Sequence, residues 1–282
     1  ADGGMLRNIG CLYATEDKMY AIIQRKWNIS RALMQGMSTL DNRSSSYRND
    51  LWSSSDGIHW QVCKEGLVDA MWLFESIRLT NEGRLMGPIS THAMRPGVAL
   101  WPGDDPEETP EIVEMPYRGN MDDYFTGHDE GLFVFGEASW YTDEDGRIWM
   151  WHRDESASGY LGVAHSEDGG RSWTEVMRSN FPDAMARVHA GRLSDGRFYL
   201  VGNSTRCFMN RNFFALSLSN DGARFNKMVR LIEEPTQQRF KGHLKAHGYQ
   251  YPSCLVEDDK LLIVYSLNKE DIEIGIVYTS EV

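Results

Sequence analysis

Glu137 and Arg153, sixteen residues apart with an Asp145-Gly146-Arg147 turn between them, are the two residues of this chain best placed to do chemistry together. A hairpin of that length sets a carboxylate beside a guanidinium. Arg stays charged and can grip a carboxylate through two parallel hydrogen bonds, while a nearby carboxylate can take the proton of a phenol. The plainer alternative is a structural ion pair across the hairpin. Similar residue types recur at the ends of apolar runs: Arg7, Arg25 and Trp27, Glu75, His92, His152, Arg187 and His189, Asn203 and Arg206, Tyr249 and Tyr251, and Asn268. His92, His152, His189, His243 and His247 add groups whose ordinary titration near neutrality suits general acid–base work. A metal is not expected. His243 and His247 could share one only on a single helical turn, which Gly242 and the strand-like surroundings oppose. No glycine-rich phosphate cradle occurs, and no cofactor is implied.

The elements that must position these residues are strands. Five times an apolar run meets a short acidic or glycine turn and is followed by a second apolar run. The turns are Glu16-Asp17-Lys18, Asn81-Glu82-Gly83-Arg84, Asp145-Gly146-Arg147, Asp195-Gly196-Arg197 and Asp258-Asp259-Lys260. Gly, Asn and Asp supply the positive φ that tight hairpins demand. The runs that follow read MYAII, LMGPI, IWMWH, FYLVG and LLIVY, continuous rather than alternating, as expected of strands buried on both faces. The turns recur every roughly 50–66 residues, enough for four strands and their loops, which describes a β-propeller. The expected fold is therefore all-β, a single propeller domain over 1–282 with blades at roughly 7–65, 69–117, 130–180, 185–232 and 245–282. Rim residues are those before the first apolar run of a blade and after the second, which is where the Arg, Glu, His and Tyr set falls.

A second turn closes several of these units. Ser54-Ser55-Asp56-Gly57-Ile58-His59-Trp60 and Ser166-Glu167-Asp168-Gly169-Gly170-Arg171-Ser172-Trp173 share a Ser-x-Asp-Gly core ending in Trp, and Ser219-Asn220-Asp221-Gly222-Ala223-Arg224-Phe225 ends in Phe. The Asp accepts backbone N–H bonds of the turn, Gly permits its tightness, and the aromatic wedges between blades. These copies resemble the Asp boxes (BNR repeats) of the sialidase superfamily, and the resemblance covers nearly the whole chain for fold and about three blades for function.

The resemblance implies a retaining exo-glycosidase acting on a terminal acidic sugar. Tyr251, in Tyr249-Gln250-Tyr251-Pro252, matches the nucleophile-bearing strand, and Glu137 matches the residue that polarises it. Arg7, Arg153 and Arg211 match three arginines that hold the substrate carboxylate, with Arg206 competing for the third place and Arg25 a further rim cation. The general acid falls in the loop after the second strand, where Asp41 and Asp50 are both available. The match departs from the family in three ways. Arg7-Asn8-Ile9 lacks the family's proline, five units are counted where sialidases have six blades, and the last unit lacks a fourth strand. Either a missing N-terminal portion or an unconventional closure of the ring would account for the last two. The surplus histidines keep a second chemistry open, a polysaccharide lyase in which Arg neutralises a uronate and His189 or Tyr251 removes the α-proton. A non-catalytic glycan-binding propeller is the third alternative.

Composition sets the outer bounds. With 41% hydrophobic and 25% charged residues, the 282-residue chain can bury a large core, and it contains no apolar run of membrane-spanning length. Its net charge of −12 argues against nucleic acid or an anionic membrane as partner. An anionic sugar remains compatible, because the acids cluster in turns while arginines populate the expected rim. Cys11, Cys63, Cys207 and Cys254 have no metal or redox spacing and are expected to be free thiols, so secreted and cytoplasmic locations both stay open, as does the oligomeric state.

Overall fold

The computed structural model describes residues 5–27, 46–119, 132–242 and 245–282. The chain is all-β, and its strands form five antiparallel sheets, the blades of a β-propeller. It divides into two compact units, Ala1–Met115 with Gly169–Ser172, and Pro116–Asp168 with Trp173–Val282.

In the first unit, β1 (Met5–Ala14), β2 (Met19–Trp27), β3 (Ser46–Ser54) and β4 (Gln61–Val68) pair in sequence order. The second sheet has an interrupted inner strand: β5 (Trp72–Leu73) and β6 (Arg78–Leu79) both pair with β7 (Leu85–Ser90), followed by β8 (Pro96–Leu100) and β9 (Glu111–Glu114). Cys11, Ile22, Leu51, Leu73, Ile89 and Trp101 belong to the core that joins these two sheets. A Cβ on Gly10 would lie 2.5 Å from the Leu73 carbonyl oxygen, so only glycine lets β1 come this close to β5. The acidic segment after β8 packs back onto the first sheet. Glu107 accepts from Lys18 Nζ (3.2 Å) and the Tyr20 hydroxyl (3.0 Å), and those two partners, Lys18 foremost, hold its carboxyl below the ordinary range.

In the second unit, β10 (Val134–Thr142), β11 (Ile148–Asp154), β12 (Tyr160–Ser166) and β13 (Met177–Pro182) form one sheet. The next comprises β14 (His189–Arg192), β15 (Phe198–Gly202), β16 (Phe213–Ser219) and β17 (Lys227–Glu233). The last has three strands among the described residues, β18 (Tyr249–Glu257), β19 (Lys260–Leu267) and β20 (Asp271–Tyr278). The inner strands β10, β14 and β18 are neighbours, and Ala190 N–H donates to Ser139 Oγ at 2.7 Å to join the first two. Trp151, Phe181, Phe198 and Leu200 pack one interface, and Val201, Phe214, Tyr249 and Ile263 the next.

All five short turns join the inner two strands of a sheet, as their composition predicts. The first closes differently from expectation. Neither Glu16 nor Asp17 takes a positive φ, and instead Thr15 N–H donates to the Lys18 carbonyl (2.9 Å) while Thr15 Oγ1 accepts from Lys18 N–H (3.2 Å). The Asp boxes form as read: Asp56 Oδ1 accepts from Ile58 and His59 N–H at 2.9 and 2.8 Å, and Asp221 Oδ1 accepts from Ala223 and Arg224 at the same distances. Phe225, the aromatic of the third copy, packs edge-on against both Trp151 and Phe181.

Continuous burial holds for β7 and β15 but not for β19, whose residues alternate. The reason lies in its sheet. One face packs Leu261, Ile263 and Tyr265 inward, while Leu255, Val264, Ile272, Ile274 and Ile276 on the other stand in solvent. LLIVY has apolar residues on both sides, but only one side is covered.

Candidate active site

Two backbone irregularities create the site. The β10–β11 pairing shifts register between Val134 and Ala138, with Gly136 at φ +85°, and this takes Glu137 out of the regular ladder at the strand end. The β18–β19 pairing shifts between Gln250 and Ser253, and there Tyr251 adopts φ +56°. A bulge re-aims one side chain at the cost of local pairing, and a positive φ on a residue as large as Tyr is a genuine outlier. Both bulges sit at blade ends, so Glu137 and Tyr251 leave their sheets in the same neighbourhood.

Arg153 is the hub. Its Nη1 donates to Glu137 Oε2, its Nη2 lies 3.4 Å from Glu155 Oε1, and its charge acts on the Tyr251 phenol. The strand end that carries it is tied down by the neighbouring Asp154, whose carboxylate accepts from Phe133 N–H (3.1 Å), Ser156 N–H (2.8 Å) and Ser158 N–H (3.1 Å). Arg211 arrives from the loop between β15 and β16. Its Nη1 donates to Gln250 Oε1, its Nη2 to the Met185 carbonyl at 3.2 Å, and its guanidinium lies 5.8 Å from the centre of the Tyr251 ring. The backbone fixes it as well, since Tyr249 N–H donates to the Arg211 carbonyl at 2.7 Å. Gly248 makes that approach possible: at φ +94°, a Cβ there would overlap the Arg211 carbonyl group. Lys269 completes the set, with Nζ 4.9 Å from the Tyr251 ring centre.

These groups set one another's charge. Burial pushes the Glu137 carboxyl up, but the fields of Arg153, Arg187 and Arg211 outweigh it and hold the group below its ordinary value, ionised at neutral pH. The negative charge of Glu137, then burial, raises the Tyr251 phenol, and Arg153 and Arg211 partly offset this. Asp183, buried behind the cluster, is pushed up to about 7 by desolvation, with Arg153 pulling the other way. Glu155 is raised by burial despite Arg153. Desolvation, then the charge of Arg211, brings Lys269 down to about 8. Glu137, held ionised, sits among three guanidiniums, Asp154 is engaged by backbone N–H groups, and burial raises Glu155 and Asp183, an arrangement that suits an anion.

Of the residues singled out in the sequence, Tyr251, Glu137, Arg153 and Arg211 come together here. Arg206 goes elsewhere, exposed over the Tyr160 ring at 4.5 Å. His189 is buried and stacks on Tyr199, with its Nδ1 3.4 Å from that hydroxyl. Arg25 pairs in the first unit with Asp50 at 3.1 Å. Asp50 also takes Arg48 Nε at 2.7 Å and Gly66 N–H at 2.8 Å, so both its oxygens are engaged. Asp41 lies outside the described residues, as does the side chain of Arg7, whose backbone runs in β1. His152 is fully buried and brought down to about 3 by desolvation, which makes it a neutral core residue. Among the described residues no cluster of His, Cys, Asp and Glu is arranged to hold a metal, and no helix is long and apolar enough to cross a membrane.

Glu155, Asp183, Gln250 and Lys269 escaped the sequence reading. Only Lys269 left a local trace: Asn268-Lys269 between two apolar runs is a two-residue hairpin turn in which the second position ordinarily calls for glycine.

A β-propeller of antiparallel blades with Asp-box turns is the fold that solved sialidases share. Residues 24–264 match the BNR repeat-like domain, and the chain belongs to that family. The Hadza microbial sialidase Hz136 is similar in structure at 16% identity and a TM-score of 0.63, covering 94% of this chain and 50% of that one. A protein of unknown function from Dyadobacter fermentans DSM 18053 is 15% identical with a TM-score of 0.59, covering 94% of this chain and 74% of that one. The leech intramolecular trans-sialidase, solved with 2,7-anhydro-Neu5Ac, is 14% identical with a TM-score of 0.58, covering 84% of this chain and 37% of that one. The chain thus spans between about a third and a half of the length of these two sialidases. At such identities the likeness is one of fold. No curated protein matches the chain in sequence.

Proposed function

We propose that this propeller is a retaining exo-glycosidase that removes a terminal acidic sugar from a glycan. The observation that carries the proposal is the buried convergence of Tyr251, Glu137, Arg153 and Arg211 from three successive blades. Arg153 and Arg211, with Arg7, hold the sugar carboxylate. Tyr251 Oη bonds to the anomeric carbon as the glycosidic C–O bond breaks, Glu137 takes the phenol proton, and Asp41 protonates the departing oxygen. Water, losing a proton to Asp41, then displaces Tyr251, whose oxygen recovers its proton from Glu137. A phenol suits this task because its attack carries no net negative charge towards an anionic sugar, as a carboxylate nucleophile would. In the resting site Arg153 occupies Glu137, and the substrate carboxylate would take over part of that guanidinium.

The test is release of sialic acid from an aryl sialoside. The wild-type chain should release it, and Tyr251→Phe should abolish release while leaving the fold intact by circular dichroism. An unsaturated uronate formed from a uronate polysaccharide would replace this proposal with the lyase chemistry. Binding of acidic glycans without any product would replace it with the non-catalytic function.

A further inference from the structure

Lys269 stands in an unusual place for a lysine. It is the second central residue of the turn joining β19 to β20, closed by Glu270 N–H donating to the Leu267 carbonyl at 2.9 Å, with Asn268 at φ +57° and Lys269 at φ +56°. A turn left-handed at both central positions is most easily made by Asn followed by Gly, and a side chain at the second position costs conformational energy. Asn268 suits its own place. Its Oδ1 accepts from Gly248 N–H (2.8 Å) and Thr236 Oγ1 (2.6 Å), and its backbone N–H donates to the Gly248 carbonyl (2.9 Å). The turn is thereby locked to the strand that carries Tyr251. What the lysine gains in return is position: its ammonium lies over the Tyr251 ring, in the fields of Arg211, Arg153 and Glu137. Strain held at one residue beside a charge cluster points to a task for that side chain. The flanking acids of its own turn are occupied elsewhere, Glu270 by Lys245 and Arg239 and Asp271 by Arg239.

We propose that Lys269 is a substrate-binding residue, a further cation that contacts the anionic group of the sugar beside Tyr251 and favours acidic over neutral sugars. The proposal rests on the glycosidase reading of the same site. A cation brought among guanidiniums is repelled until an anion enters, so binding the acidic sugar relieves a cost that the empty site carries. An ammonium also differs from a guanidinium in being able to lose its proton in this range. Because burial and Arg211 bring Lys269 down to about 8, its contribution is present below that pH and lost above it.

The experiment is calorimetric titration of the wild-type chain, Lys269→Gly and Lys269→Arg with free N-acetylneuraminic acid, at pH values on either side of 8. Glycine fits the left-handed turn, so its variant folds, and thermal melting checks this. Wild type should bind more weakly as pH rises through about 8, and Lys269→Gly should bind about tenfold more weakly at neutral pH with no such limb. Lys269→Arg should restore binding and keep it at high pH, a rescue that a purely structural role would not produce. Wild-type binding unmoved by Lys269→Gly overturns this inference alone. No binding of the acidic sugar by wild type overturns the glycosidase reading and this inference together.

Discussion

Two regions of the molecule bring arginines to buried carboxylates at strand ends, and they do it to opposite effect. In the first unit Asp50, fully buried, receives Arg25, Arg48 and the Gly66 N–H, and Arg48 also pairs with Glu65 at 3.0 Å, so two guanidiniums meet two carboxylates. In the second unit Arg153, Arg187 and Arg211 hold Glu137 ionised, with Lys269 close by, while burial raises Glu155 and Asp183. A balanced cluster has no use for a visitor, whereas a cationic surplus is completed by an anion from outside. Burial and residue type are alike in the two places. The ratio of charges separates a brace from a binding site.

Three perturbations probe this contrast. Asp50→Ala removes the buried carboxylate that Arg25 and Arg48 share and should destabilise the first unit by about 3 kcal/mol, read as a lowered denaturant midpoint. Glu137→Gln should instead leave that midpoint nearly in place and reduce sialoside turnover roughly a hundredfold or more, the usual size of a lost proton acceptor. If Glu137→Gln lowered the midpoint as far as Asp50→Ala does and left turnover unchanged, the two clusters would be equivalent braces. Gly248→Ala should cost about 2–4 kcal/mol, because both the left-handed backbone and the overlap with Arg211 oppose a methyl group. It should also weaken acidic-sugar binding by displacing Arg211, which separates it from a remote glycine such as Gly83, where a Cβ would meet nothing.

A further effect is one of pH. Asp183 is raised from 3.8 to about 7, so the folded chain holds a proton that the unfolded chain releases between those values. Its contribution to stability is complete below pH 3.8 and is lost as pH rises through about 7. Melting temperature should fall across that window, and Asp183→Asn should flatten the fall.

The blades were legible because their signals are local. A turn such as Asp195-Gly196-Arg197 and an Asp box such as that at Asp221 satisfy their own geometry within a few residues. The interruption between β5 and β6 gave no such signal: Phe74-Glu75-Ser76-Ile77 breaks the inner strand without a glycine or a proline. The choice between Arg206 and Arg211 stayed open for a similar reason. Both lie in one loop, and long-range bonds separate them, from Tyr249 to the Arg211 carbonyl and from the Arg211 guanidinium to Gln250 and Met185. Glu155 and Asp183 were invisible because their significance lies in desolvation by distant parts of the chain. Lys269 could have been noticed, as a lysine where a hairpin calls for glycine.

The Asp-box turns also bear on the order in which the chain folds. At Asp56 and Asp221 the stabilising bonds span two or three residues, so each turn can close on the microsecond timescale of a hairpin, before any blade has found its neighbour. The bonds that assemble the site, such as Arg211 to Gln250 across 39 residues, must wait for the blades to dock. Scaffold and chemistry are therefore separated in time as well as in space, and a chain caught partway would hold finished turns around an unfinished anion site.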